Sequence, residues 1–78
     1  MAKYYSKIHV QHKSGSKATG KKVVLGFQSL LGGMTSPVYT DSSGTAIVPH
    51  ESNGRATVYV SGVKVGEINA PGETVVFI

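Results

Sequence analysis

Hydrophobic and polar side chains alternate along seven short segments of the chain, and these segments are rich in valine, threonine, tyrosine and isoleucine. Alternation with a period of two places successive side chains on opposite faces of an extended strand. Residue types of this kind also favour strands over helices. The pattern therefore predicts seven strands, within the ranges 4–10, 23–27, 38–40, 45–48, 56–60, 63–65 and 75–77.

Turn-forming residues separate these segments. Asp41 to Gly44 combines a side chain that can cap a turn with a glycine. Asn53-Gly54 is the pair that most favours a two-residue hairpin, and Ser61-Gly62 predicts another tight reversal. Turns spaced by roughly 8–12 residues are typical of sandwiches and barrels. The sequence thus predicts an all-β structure, with residues 1–78 forming one domain.

Three stretches resemble the carboxypeptidase regulatory-like domains, which belong to the transthyretin-like sandwiches. Lys22 to Leu25 stands where that family has its second strand, Tyr39 to Ala46 resembles its Thr-Asp-x-x-Gly hairpin, and Asn53 to Gly62 resembles its glycine-led strand. A similar hairpin occurs in bacterial Ig-like modules. The resemblance implies a seven-stranded, mainly antiparallel Greek-key β-sandwich, transthyretin-like or Ig-like, of the kind that stabilises, spaces or binds rather than catalyses.

The chain departs from that family in two places. Ala46 stands where the family often has a large aromatic residue. One transthyretin-like branch hydrolyses a purine-pathway intermediate and ends in Tyr-Arg-Gly-Ser, whereas this chain ends in Val-Phe-Ile. The resemblance therefore does not imply that activity.

The positive charge is concentrated at the start of the chain. Residues 1–22 contain six lysines and no acidic residue, whereas residues 23–78 contain two basic and four acidic residues, a balance of −2. Lysines neutralise phosphates and release counterions, so this segment is a candidate polyanion-binding region. A solvated, charged edge strand is the alternative. The candidate residues are Lys3, Lys7, Lys13, Lys17, Lys21 and Lys22.

Chemical motifs are weak. Gly15 to Lys22 approaches a phosphate-binding loop, but that loop needs a hydroxyl residue where Lys22 stands and a helix after it, and here a strand is predicted. His9 and His12 would point to opposite faces of a strand, so these two and His50 are predicted to be surface side chains rather than metal ligands. The serines are predicted to lie in turns, so we expect no enzyme activity, no cofactor and no metal.

The function expected from these observations is a non-catalytic structural or protein-interaction module, with nucleic-acid binding as the alternative. The last strand, Val75 to Ile78, is either central and buried or an exposed edge. A protein partner, or a second copy giving a homodimer, is expected to pair with this strand or with the basic first strand. There is no cysteine. No signal peptide or membrane-spanning segment is recognisable, so a cytoplasmic location is expected unless the chain is an excised module.

Overall fold

The computed structural model of the protein describes residues 3–27 and 33–78, and strands are the only regular elements in that part of the chain. The strands follow the alternating segments of the sequence, with each buried position flanked by more exposed ones along much of their length. In chain order they are β1 (Tyr4–Gln11), β2 (Lys22–Phe27), β3 (Gly33–Met34), β4 (Val38–Tyr39), β5 (Thr45–His50), β6 (Gly54–Val60), β7 (Val63–Ala70) and β8 (Glu73–Phe77).

These strands form two sheets. The three-stranded sheet has the order β5-β1-β8, and the five-stranded sheet has the order β3-β2-β6-β7, with β4 pairing with the other end of β2. The strand pairs are antiparallel except for β1 and β8, which run parallel. The first and last strands of the described chain therefore lie side by side, with β1 in the centre and β8 at one edge of the smaller sheet, so the expectation that the lysine-bearing first strand is a sheet edge is wrong.

The apolar core lies between the two sheets. Buried side chains from β1, β5 and β8 contact buried side chains from β2, β6 and β7, and this gives the molecule its sandwich-like architecture. Burial of such side chains is the main favourable contribution to folding. The core consists of Ile8, Val10, Ala18, Val23, Leu25, Phe27, Ala46, Val48, Ala56, Val58, Val60, Ile68, Ala70 and Val76.

The all-β class is confirmed, and each of the seven predicted segments overlaps a strand. The described residues form eight strands rather than seven, the additional one being β3. This strand has only two residues, both exposed, so it carries no alternation that the sequence pattern could reveal.

One of the two predicted tight hairpins is present. Ser61 and Gly62 join β6 to β7 with backbone φ angles of 52° and 84°, as a two-residue hairpin with positive φ at both positions requires. The hairpin predicted at Asn53-Gly54 is wrong, because the strands on either side of it, β5 and β6, belong to different sheets. The chain crosses between the sheets there instead of reversing within one.

The turn from Asp41 to Gly44 is held by the Asp41 side chain, as the sequence predicts. Its Oδ1 accepts hydrogen bonds from the Ser43 hydroxyl at 2.7 Å, from the Ser43 N–H at 2.9 Å and from the Thr45 N–H at 3.1 Å. These bonds, the Ser43 hydroxyl first, hold the pKa of Asp41 below its usual range. The carboxylate is therefore a turn cap.

The long loop between β1 and β2 packs against this turn. The N–H of Ala18 donates to Val10 O at 3.0 Å, and the buried Thr40 hydroxyl donates to Ala18 O at 2.7 Å. Ala18 is fully buried. Although rich in serine, glycine and lysine, the loop is thus anchored at its centre.

Gly44 is the position where this packing leaves no room for a side chain. A Cβ built there lies 2.8 Å from Val10 O, and the residue has a φ of 77°. Gly20 lies in the adjoining loop with a φ of 67°, and a Cβ there meets no atom within 4 Å. The two glycines therefore share the backbone requirement and differ in the available space.

We expect Gly44→Ala to destabilise the protein more than Gly20→Ala. The left-handed backbone costs alanine about 1–2 kcal/mol at either position, and the contact with Val10 O adds about 1–3 kcal/mol for Gly44→Ala alone. Urea denaturation followed by circular dichroism measures both variants. Equal losses of stability would show that the loop moves away from the turn at little cost.

Candidate functional site

The edges of the two sheets are the places where another chain can pair with this one. Within residues 3–27 and 33–78, the edges that no further strand pairs with belong to β5 and β8 in the smaller sheet, and to β7 and the β3–β4 segment in the larger sheet. An unpaired strand edge presents N–H and C=O groups that can bond to a further strand, and proteins often block such edges with proline, lysine, bulges or short strands.

Three of these edges carry such features. Strand β5 contains Pro49, which has no N–H to donate. The β3–β4 edge consists of two two-residue strands separated by a segment that contains Pro37. Strand β7 has a register shift, since Val58 pairs with Gly66 whereas Tyr59 pairs with Lys64, and such a bulge disrupts regular pairing.

The edge of β8 carries none of these features. Its five residues contain no proline, lysine or arginine, and they pair with β1 in unbroken register. Lys7 N–H donates to Gly72 O at 2.8 Å, and Ile78 N–H donates to Gln11 O at 2.9 Å. In a parallel ladder alternate residues bond to the neighbouring strand. The backbone groups of Glu73, Val75 and Phe77 therefore point away from β1, toward the free edge.

Exposed apolar side chains accompany this edge. The outer face of the three-stranded sheet carries four of the seven large apolar side chains that are exposed among the described residues. The exposed fraction is 60% for Tyr5, 52% for Ile47, 46% for Val75 and 52% for Phe77. Val75 and Phe77 lie two positions apart on the same face of β8, and adjacent exposed apolar side chains are common at interaction sites. Two of the four belong to β8 itself.

A hydrogen-bonded chain of side chains crosses the same face. His9 on β1 bonds through Nδ1 to Thr45 Oγ1 on β5 at 2.9 Å, and through Nε2 to the Glu73 carboxylate on β8. The bond to His9 is the main reason that the pKa of Glu73 lies below its usual range, and the charges of His9 and Lys7 add to it. The imidazole thus connects all three strands.

A carboxylate, an imidazole and a hydroxyl that are hydrogen-bonded in a row are also the groups that activate a nucleophile in some enzymes. That chemistry also needs an enclosed site with N–H donors for a developing negative charge. Here the groups lie on an open sheet face, and β1 is the central strand, with neighbours pairing on both sides. The geometry supports a structural link between strands. Sequence reasoning did not find this link, because 64 residues separate His9 from Glu73.

A second histidine lies in the interior. His50, predicted to be a surface residue, is buried, with 5% of its area exposed. Its Nδ1 donates to Ser52 O at 2.6 Å, so in the neutral ring Nε2 accepts from the Ser6 hydroxyl at 2.7 Å. The ring also stacks on Tyr4 and contacts Phe27. The surface prediction is wrong because the parity of β5 places His50 on the core side.

The Ser6–His50 pair closes the end of the sandwich where β1 begins. Ser6 Oγ also accepts from the N–H of Gly72 at 3.3 Å, which ties the turn before β8 to β1. Ser6 is fully buried, so its hydroxyl is out of reach of a substrate. The expectation that serines lie in turns is wrong for Ser6, and the pair serves packing rather than nucleophilic attack.

The six candidate lysines do not form one patch. Lys3 lies just before β1, and Lys7 lies on the outer face of the smaller sheet beside Glu73. Four others lie at the opposite end of the molecule, in the β1–β2 loop and at the start of β2: Lys13, Lys17, Lys21 and Lys22. The eight residues of β1, roughly 26 Å of extended chain, separate Lys3 from these four lysines, and Lys7 lies part-way along the strand. The structure thus groups four lysines and leaves two apart.

One apolar groove of about 300 Å³ opens at this lysine-rich end, defined here by Lys13, Lys17, Lys21 and Lys22. Its walls come from Val60, Val63, Val65 and Ile78, with Lys21 among the lining residues. The segment from Gly15 to Lys22 leads into strand β2, as predicted, rather than into a helix that could face a phosphate.

In residues 3–27 and 33–78, no three histidine or acidic side chains are placed to share a metal ion. The same residues include no helix with the length and hydrophobicity needed to cross a membrane.

Comparisons with protein-family models, with curated proteins and with solved structures find no match. The resemblance to carboxypeptidase regulatory-like domains therefore stays a prediction from the sequence.

The link between His9 and Glu73 predicts a pH-dependent contribution to stability. Because the pKa of Glu73 is lower in the folded protein than in the unfolded chain, its ionised form favours folding. This contribution is present above the unfolded pKa, near 4.3, and is lost as the pH falls through the folded value. In wild type the urea concentration at the midpoint of unfolding should therefore decrease as the pH falls through this range. We expect this decrease to be smaller in Glu73→Gln.

Glu51→Gln is the matched control, because it removes an exposed carboxylate in the turn after β5. A carbon-detected NMR titration of the Glu73 carboxyl in wild type and in His9→Gln provides the direct check. An unchanged Glu73 titration in His9→Gln would contradict the assigned cause of the pKa shift.

Proposed function

We propose that this domain is a non-catalytic protein-interaction module that binds a partner strand along the free edge of β8. The observation that carries this proposal is the contrast between the edges. Among the described strands, β8 alone has an edge without a proline, a bulge or an interruption. Proteins that do not use an edge tend to block it, so an unblocked edge is a candidate binding site.

Strand addition supplies affinity through backbone hydrogen bonds and specificity through alternate side chains. The outward N–H and C=O groups of Glu73, Val75 and Phe77 provide the backbone part. The exposed side chains of Val75 and Phe77 provide an apolar contact on the outer face. A partner strand with apolar residues at alternate positions would complement this edge.

We also propose that the sandwich is a Greek-key domain of the transthyretin-like or Ig-like type. The resemblance of Asn53 to Gly62 and the two-sheet architecture support this assignment. Tyr39 to Ala46 resembles the family's hairpin in sequence, although the flanking strands β4 and β5 lie in different sheets. Domains of this kind are typically accessory modules that space or bind. The proposed role at the β8 edge agrees with that expectation.

Blocking the edge tests the proposed function. Val75→Lys places a charge at the centre of the edge, and we expect it to abolish capture of partners from an extract of the source cells. Ile47→Lys is the matched control, because Ile47 is similarly exposed on the outer face but lies on the proline-containing strand β5. Partners retained equally by both variants would place the binding surface elsewhere.

Polyanion binding is the second candidate function, and the lysine-rich end favours it. Four lysines there adjoin a turn whose only acidic residue is Asp41, so the local charge is positive. Lysine side chains bind phosphates as point charges and confer little sequence preference. This candidate therefore predicts weak, salt-dependent binding.

For this candidate we expect single-stranded or duplex DNA to bind at low salt. If all four lysines contact phosphates of duplex DNA, a plot of log K against log salt concentration has a slope no steeper than about −3.6. Changing those four lysines to glutamine would abolish binding. Changing Lys3 and Lys7 to glutamine is the control. Fluorescence anisotropy measures all three proteins, and no binding by wild type at low salt would exclude this candidate.

A further inference from the structure

We propose that the strand which adds to β8 is β8 of a second copy of this chain, running antiparallel to it about a twofold axis at Val75. This inference rests on the proposed function and names its partner. It would join the two three-stranded sheets into one continuous sheet of order β5-β1-β8-β8-β1-β5. The two copies would use the same surface, as a twofold dimer requires.

The backbone pattern selects this register. In an antiparallel ladder, two residues that face each other exchange both of their N–H···O=C bonds at alternate positions. With the axis at Val75, Val75 faces Val75 of the second copy, and Glu73 faces Phe77 of the second copy. All the outward N–H and C=O groups of Glu73, Val75 and Phe77 are then paired. A shift by two residues would leave part of them unpaired.

The side chains favour the same arrangement. On the outer face the two Val75 side chains become direct neighbours, and each Phe77 lies diagonal to the other copy's Val75, within reach of an aromatic side chain. The exposed apolar side chains of β8 therefore form one stripe across the interface. Burying this stripe gives the dimer a hydrophobic contribution in addition to its backbone hydrogen bonds.

The charges are also compatible with a second copy. The two Glu73 side chains lie about four residues apart, roughly 13 Å, so they do not face each other. Glu73 of the second copy instead approaches the end of β8, where the N–H of Lys13 donates to Ile78 O at 3.2 Å. The acidic end of one β8 thus comes near the lysine-rich end of the other copy.

The paired length limits the strength of association. Five residues span roughly 17 Å, and one added strand buries less than the approximately 1,200 Å² that marks the lower end of standard stable interfaces. We therefore expect a weak dimer whose population rises with protein concentration.

Sedimentation velocity over a range from low micromolar to near millimolar concentration tests this proposal. Wild type and Ile47→Lys should associate as the concentration rises, and Val75→Lys should stay monomeric, because it sets two lysines against each other. Mixing Val75→Lys with Val75→Glu should restore a dimer, because the twofold pairing places opposite charges side by side. A dimer that persists in Val75→Lys, or a mixture that stays monomeric, would overturn the proposal.

A cross-link provides a test that does not depend on charged variants. The chain has no cysteine, so Val75→Cys introduces a single thiol, and its Cα lies about 5.5 Å from that of its counterpart in the second copy, within the Cα range that disulfides span. Under mild oxidation we expect Val75→Cys to form a covalent dimer at least about ten times faster than Ile47→Cys. Equal rates would overturn the proposed register, since random collisions act on both thiols.

The experiments distinguish a failure of the dimer proposal from a failure of the proposed binding function. If wild type is monomeric at every concentration while Val75→Lys still abolishes partner capture, the second-copy inference fails and the β8 edge remains the binding site. If neither self-association nor partner capture depends on Val75, both proposals fail. Amide exchange at Glu73, Val75 and Phe77 that slows with concentration would support the dimer.

Discussion

The parallel pairing of β1 with β8 is the constraint on which the rest of the structure depends. It places the last strand of the described chain against the first, with Lys7 facing Glu73 and Gln11 facing Phe77. Pairing of strands so distant in sequence costs loop-closure entropy, and only the burial that follows repays it. Val76 contributes its side chain to the core through this pairing. The exposed edge of β8 is a consequence of the same arrangement.

Polar side chains at both ends hold the sheets in this arrangement. At one end the buried Ser6–His50 pair links β1, β5 and the turn before β8. At the other end the buried Thr40 hydroxyl bonds to Ala18 O and secures the long loop. In the described residues every buried side-chain nitrogen or oxygen has a hydrogen-bond partner. A small domain without cysteines, and hence without disulfides, has few other means of fixing its ends.

The sequence pattern predicts the local structure well, because strand parity is a local property. Alternation correctly separates buried from exposed positions on β1 and β2, and turn-forming residue types correctly predict the turn at Asp41. Neither pattern shows which strands pair, so Asn53-Gly54 predicts a hairpin where the chain crosses between the two sheets. The same limit conceals the links from His9 to Glu73 and from Ser6 to His50, which join residues 64 and 44 positions apart. The free edge of β8 depends on strand order, which one sequence does not reveal.

The two candidate binding surfaces, the β8 edge and the lysine-rich end, adjoin each other at Ile78. Ile78 follows β8 directly, accepts a hydrogen bond from Lys13 and lines the groove that Lys21 also lines. One end of any strand that pairs with β8 therefore lies beside the lysine-rich end, whether the strand comes from a second copy or from another protein. Acidic residues at that end of the strand would be favoured, and salt would weaken their attraction. The backbone ladder and the apolar stripe are much less sensitive to salt. Salt dependence alone is thus a property that both functions share, whereas dependence on Val75 belongs only to strand addition.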